Sequence, residues 1–210
     1  MSISNIDNFV NDLYIPLAKG TISGTATTET PNSKSYVLEL INEVEKDVLL
    51  NALGLDLYNE LTVALVDLAS ADQKWRDLVN GVEYDGKVWE GLDNSKSLLL
   101  YAVYTLFIMN NSTFLTATGT AKPNTENSSN ESNDAKVSYA WQKFLTKYQN
   151  GCLAEPLIYS DSGVNFIDYY GNNDNIQRSL YQYLNDNLDV WDTWIPSNFK
   201  LYEQINSFGI

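Results

Sequence analysis

The side chains that could do chemistry in this chain are carboxylates and aromatic rings. Its 210 residues include 27 Asp and Glu, 14 Tyr, 7 Phe and 5 Trp, but no histidine and one cysteine. A His triad, a His-ligated metal and the commonest general base are therefore excluded. Carboxylate pairs become the main acid–base option. Asp168 beside Tyr169 and Tyr170, or Asp189 and Asp192 flanking Trp191 and Trp194, has the composition of a sugar-cleaving or sugar-binding cleft. The competing reading is surface acids next to core aromatics, which so many acidic residues produce by chance. Ser160-Asp161-Ser162-Gly163 could form an anion nest or metal loop, yet it lacks the alternating acids and terminal Glu of a calcium loop. It reads as a surface turn. Cys152 can form neither an internal disulfide nor a thiolate zinc site, and no histidine can activate it. No GxxxxGK[ST] or GxGxxG phosphate loop occurs. The Asn-x-Ser/Thr sites at Asn110, Asn111, Asn127 and Asn130 read as the composition of an Asn-rich chain. We expect no catalytic, metal-binding or cofactor-binding residues, and not an enzyme.

Interaction is the remaining option, and charge shapes it. Thirteen Lys and Arg leave a net charge of −14. A sequence-independent nucleic-acid binder needs the opposite sign to displace counterions. Lys136, Lys143 and Lys147 stand out, because steps of seven and four return to one helix face. They read either as a solvated face or as a partner for an acidic face such as Glu39 and Glu43 on a neighbouring subunit, fixing the register of an assembly. The chain closes with Trp191, Trp194, Phe199, Tyr202, Phe208 and Ile210, which could anchor in a partner's groove. The longest apolar run, Leu98 to Met109, would make a helix of roughly 18 Å. That is too short for a bilayer core of about 30 Å, so no membrane contact is expected. The opening MSISNIDNFVNDLYIPL has neither a basic start nor a long apolar run, and no signal peptide is expected.

The elements that position these residues are mainly helical. Ile6, Phe9, Val10, Leu13, Tyr14 and Leu17 are spaced as a short amphipathic helix ending before Gly20. A Gly/Thr/Ser-rich stretch follows and reads as a flexible arm. Asn32 or Ser33 can cap a helix whose inner stripe is Val37, Leu40, Ile41, Val44 and Val48. Gly54 ends it, and a second helix with Leu57, Tyr58, Leu61, Ala64, Leu65 and Leu68 inward completes an αα-hairpin. Asp72 caps a third helix through Trp75 and Leu78, closed by Gly81. Asp85-Gly86 between Val82, Tyr84 and Val88, Trp89 is the preferred two-residue hairpin turn. The run SKSLLLYAVYTLFIMN, apolar on nearly all faces, belongs at the centre of a bundle. After a polar loop over 115–134, a fifth helix turns Val137, Trp141, Phe144, Leu145 and Tyr148 inward. An irregular insertion over 150–174 precedes a final helix carrying Ile176, Leu180, Leu184 and Leu188, and Pro196 interrupts the pattern. The fold is read as mainly α, a helical bundle with a small inserted β-hairpin (82–89) and long flexible arms and loops. Three parts are expected: an N-terminal helix and arm over 1–34, a helical domain over 35–190, and an aromatic interaction tail over 191–210.

The order and spacing of several motifs carry a family resemblance. These are Gly54-Leu55-Asp56-Leu57-Tyr58 with Leu61; Trp75, Leu78, Gly81 and the Tyr84–Gly86 turn; and Gly91-Leu92 opening the Tyr101, Tyr104, Phe107 helix. Gly119, Lys122, Glu126-Asn127-Ser128 and the closing Asn206-Ser207-Phe208-Gly209-Ile210 follow. Together they resemble the head–tail connector, or adaptor, proteins of tailed bacteriophages, particularly phages of Bacteroidetes hosts. The resemblance covers residues 35–148 and the extreme C-terminus. It implies a structural virion protein, assembled in the host cytoplasm and placed at the head–tail junction. The protomer would repeat as a homo-oligomeric ring, dodecameric in expectation, beneath the portal protein and against neighbouring tail ring proteins. The ring would extend a channel through which DNA passes without specific binding, since an acidic lumen repels phosphates. The rivals are a stopper or tail-terminator ring of the same assembly, a carbohydrate-active enzyme using paired carboxylates, and a monomeric helical adaptor unrelated to phage.

Overall fold

A computed structural model describes residues 2–15, 33–111, 114–116, 119–121, 134–149 and 177–203. The most apolar run of the sequence forms helix α4, Leu98–Asn111. Ser97 stands at its start, where its hydroxyl accepts from the Leu100 N–H at 3.4 Å. All eight residues from Leu98 to Thr105 are buried. A helix buried round its whole circumference needs neighbours on every side. They are α1 (Ser33–Leu53), α5 (Asp134–Gln149) and the 3-10 turn Asn11–Leu13. Thr105, which closes that run, donates back to the Tyr101 carbonyl at 2.8 Å, so its own buried hydroxyl is paired.

The α1 stripe is as the sequence predicts: Val37, Leu40, Ile41, Val44 and Val48 are buried, while Glu39 and Glu43 face solvent. Gly54 joins α1 directly to α2, Leu55–Ala64, which turns Leu57 and Leu61 inward. A single 3-10 turn, Leu65–Asp67, extends it. Helix α3, Gln73–Asn80, buries Trp75, Leu78 and Val79. Asp72 holds the cap position of α3 but makes no side-chain cap bond; its backbone carbonyl receives the Trp75 N–H instead. Strands β1 (Val82–Tyr84) and β2 (Lys87–Trp89) pair antiparallel around Asp85-Gly86, both at positive φ, as a two-residue primed turn requires. The hairpin is locked onto α3 by Trp89, whose indole N–H donates to the Leu78 carbonyl at 2.9 Å. The last helix, α6 (Leu180–Asp186), starts at a capping box in which Ser179 and Gln182 satisfy each other's backbone N–H. It ends before Leu188, which is exposed.

Three expectations differ from the structure. Residues 6–13 form two 3-10 turns, Ile6–Asn8 and Asn11–Leu13, rather than one amphipathic helix. Val10 is extended and Asn11 has φ 53°, which stops helix propagation. Ile6, Phe9, Leu13 and Ile15 still reach the core, so residues 2–15 belong to the helical body. Within 115–134, where a polar loop is expected, Phe114–Thr116 (β3) and Gly119–Ala121 (β4) pair antiparallel. Alternation of Thr with apolar residues across Phe114–Ala121 favours strand over loop. The third difference is the C-terminal segment, taken up with the site below. The insertion over 150–174 and the arm over 16–32 lie outside the described residues.

Gly91 provides a test of the hairpin's docking. A Cβ there would come within 2.5 Å of the Val79 carbonyl oxygen, at a φ of +81°. At Gly86 in the turn a Cβ meets nothing within 4 Å, although φ is +72°. Gly86→Ala is therefore expected to cost about 1–2 kcal/mol of conformational strain. Gly91→Ala adds a backbone collision and should cost more, which urea denaturation of the two variants will show.

Candidate functional site

The lysine face of α5 is divided by the fold. Lys147 is half-buried and forms an ion pair with Glu90, just after β2. The expected pairing of this residue with a neighbouring subunit is thus corrected, because its charge is satisfied within the chain. Lys136 and Lys143 remain exposed. Between them lies Tyr139, 47% exposed, with the Lys143 ammonium 5.6 Å from its ring centroid. Glu39 and Glu43 are exposed on α1. No described ion pair joins them to the three lysines.

A second exposed face was not evident from the sequence. On α2 and the turn that continues it, Leu55, Val63 and Val66 are 65%, 73% and 77% exposed. Asp56, Glu60 and Asp67 run beside them, also exposed, and Glu60 lies 3.5 Å from Lys74. The available signal was that this helix carries apolar residues on two sides, more than one buried stripe needs.

The aromatic tail is not an external anchor over its described part. Trp191, Trp194 and Phe199 are buried in this chain's own core, which corrects their assignment as partner-docking residues. Trp191 packs edge-on to Trp75 with centroids 5.1 Å apart. The Trp194 indole N–H donates to the Ala52 carbonyl at 2.8 Å, at the end of α1. Tyr202 lies among Phe144, Tyr148 and Trp141 of α5, and its backbone exchanges hydrogen bonds with the Gln149 side-chain amide at 2.8 Å. Alternating polar and aromatic residues looked like an interaction tail because their partners lie far away in sequence. Phe208 and Ile210 lie outside the described residues.

The carboxylates divide in the same way. Asp189 and Asp192 are both exposed, and Asp168 with Tyr169 and Tyr170 lies outside the described residues, as do Cys152 and Ser160–Gly163. A cleft lined by Trp89, Glu90, Ser97, Lys147, Arg178 and Ser179 encloses about 70 Å³ and contains neither Asp189 nor Asp192. Small-molecule sites commonly run to roughly 300–1,000 Å³. Asp186 is taken up by structure: its Oδ2 receives the Lys87 ammonium at 2.9 Å and the Tyr84 hydroxyl at 3.2 Å and forms an ion pair with Arg178 at 3.2 Å, tying the hairpin to α6. Burial, and next the Asp186 charge, push the Tyr84 hydroxyl far above its ordinary range, so it stays a neutral donor. Among the described residues no group of three or more His, Cys, Asp or Glu could hold a metal. Among them, too, no helix is long and apolar enough to cross a membrane.

Glu45 is a buried carboxylate that sequence reading missed. From the inner side of α1 it accepts the Ser4 N–H at 2.6 Å, the Ile3 N–H at 3.0 Å and the Ser2 hydroxyl at 3.3 Å. It thereby anchors the N-terminal segment by charge-assisted bonds. Desolvation outweighs these donors and holds its pKa above the ordinary glutamate value.

Residues 49–151 match the model of a family of unknown function, DUF6712. No curated protein and no solved structure matches the chain. The matched stretch runs from the end of α1 to just past α5. It therefore includes the exposed face of α2, the docked hairpin, α4 and the lysine face.

Two variants test these assignments. Trp191→Ala is expected to lose about 3–5 kcal/mol of stability, the usual cost of emptying a core aromatic site, read from urea denaturation of the isolated chain. Unchanged stability would return Trp191 to the role of external anchor. For Glu45, a raised native pKa means that the folded state takes up a proton more readily than the unfolded one. Its contribution to stability is therefore greatest below the unfolded pKa and is lost as pH rises through the native one. Against Glu45→Gln, which cannot titrate, the wild type should gain stability as pH is lowered from neutrality toward the ordinary glutamate value of 4.5. A gain by the variant instead would mean that the donors, not desolvation, control this carboxyl.

Proposed function

We propose that the chain is a structural virion protein, a subunit of a head–tail connector ring that binds beneath the portal and extends the DNA channel to the tail. The observation that carries this reading is the ordered set of motifs from Gly54 to Ser128, whose order and spacing resemble those of phage connector proteins, set on a mainly helical protomer. The charge supports it. A net −14 suits a wall along which phosphates must slide without adhering. The mainly α fold favours a connector over a stopper or tail-terminator ring, which is more often rich in β-structure.

Cryo-electron microscopy of virions from the source phage tests the reading directly. The expected result is ring density at the portal–tail junction into which the α1, α4 and α5 layer fits. A virion preparation that lacks this chain overturns it.

A further inference from the structure

Within the described body, α1 packs against α2 and α4, α4 packs against α5, and α5 packs in turn against α6. The two exposed faces described above belong to α2 and α5, which are separated by α1 and α4 in that chain of contacts. Their characters are complementary. The α2 end offers Leu55, Val63 and Val66 beside Asp56 and Asp67. The α5 end offers Tyr139 between Lys136 and Lys143.

We infer that the α2 face of one copy docks on the α5 face of a second copy, head to tail. Charge singles out this pairing. Two copies at −14 each repel, so a stable contact must set exposed cations against acids. Lys136 and Lys143 lie two helical turns apart on one exposed face, a spacing that can address the acidic edge of a second helix. An α2–α2 contact would oppose Asp56 and Asp67 to themselves, and an α5–α5 contact would do the same with the lysines. Burying two valines, a leucine and a tyrosine supplies the apolar centre, with the charges at its rim. Because the two faces differ, each added copy leaves one of each exposed. Such a heterologous contact propagates until rotation closes it into a ring. Closure into a connector ring rests on the function proposed above; the head-to-tail contact rests on exposure and charge alone.

The test is sedimentation velocity of the full chain across about 1–200 µM, with two surface variants and their mixture. The wild type should exceed its 23.7 kDa protomer mass as concentration rises. Val63→Asp with Val66→Asp disables the α2 face, and Lys136→Glu with Lys143→Glu disables the α5 face. Each should weaken association more than tenfold. Mixed together, each supplies the face that the other lacks, so a one-to-one dimer should form and grow no further. Should the α2 variant unfold by circular dichroism, the lysine variant decides alone, since it alters only exposed side chains. A wild type that stays monomeric throughout, or a lysine variant that associates as the wild type does, overturns the inference. So does a folded mixture that gives no dimer. Virion localisation decides the connector reading independently: rings that persist in both variants would leave that reading in place and remove this interface.

Discussion

Helix α4 has no polar side to give to solvent over its first eight residues, and the architecture follows from that constraint. A surface helix needs one neighbour, but a run such as Leu98 to Thr105 must be covered all round. Two long helices, α1 and α5, are not sufficient. The N-terminal turns contribute Phe9, Leu13 and Ile15 to the same core, with only two single 3-10 turns as regular structure. Fully burying a large apolar side chain is worth about 1.5–3 kcal/mol, so these few residues repay the ordering of a short irregular segment.

Irregular segments at a core bring a second requirement, because their peptide groups lack ladder partners. The chain meets it with side chains. Glu45 receives the N–H groups of Ile3 and Ser4. Gln149, itself buried, bonds both the N–H and the carbonyl of Tyr202, as a neighbouring strand would. Tyr148 donates to the Lys200 carbonyl at 3.0 Å, and Trp141 to that of Glu203 at 2.8 Å. Inward polar residues of α1 and α5 thus replace a sheet edge. They fix where each terminal segment lies, while the aromatic rings of Phe199 and Tyr202 provide the burial.

What could be read in the sequence was whatever local chemistry decides. The stripes of α1 and α5, the apolar circumference of α4, the Asp85-Gly86 turn and the glycine link at Gly54 each depend on a few adjacent residues, and each is present. Long-range contacts were not legible. Nothing near Trp191 in sequence shows that Trp75 receives it, and nothing near Glu45 shows that the N-terminus supplies its donors. Asn11 defeated a good helical period through one backbone torsion. The lysine face was visible as a spacing, but its division into a satisfied Lys147 and exposed Lys136 and Lys143 depended on Glu90, 57 positions away. The α2 face was hidden because apolar residues on two sides of a helix look like a wider core stripe until burial is known.

The return of the C-terminal segment to α1 also bears on synthesis. Ala52 and Asn51 await Trp194 and Tyr202, 142 and 151 positions downstream. At roughly 5–20 residues per second, ribosomes take on the order of ten to thirty seconds to make the intervening chain. During that interval the end of α1 has been made while the rings that cover it have not. Closure of this core therefore waits on the distant segment, and chains terminated before it lack the residues that complete it. This acts as a check on length: only a chain read through at least to Tyr202 carries the rings and hydrogen bonds that complete this core.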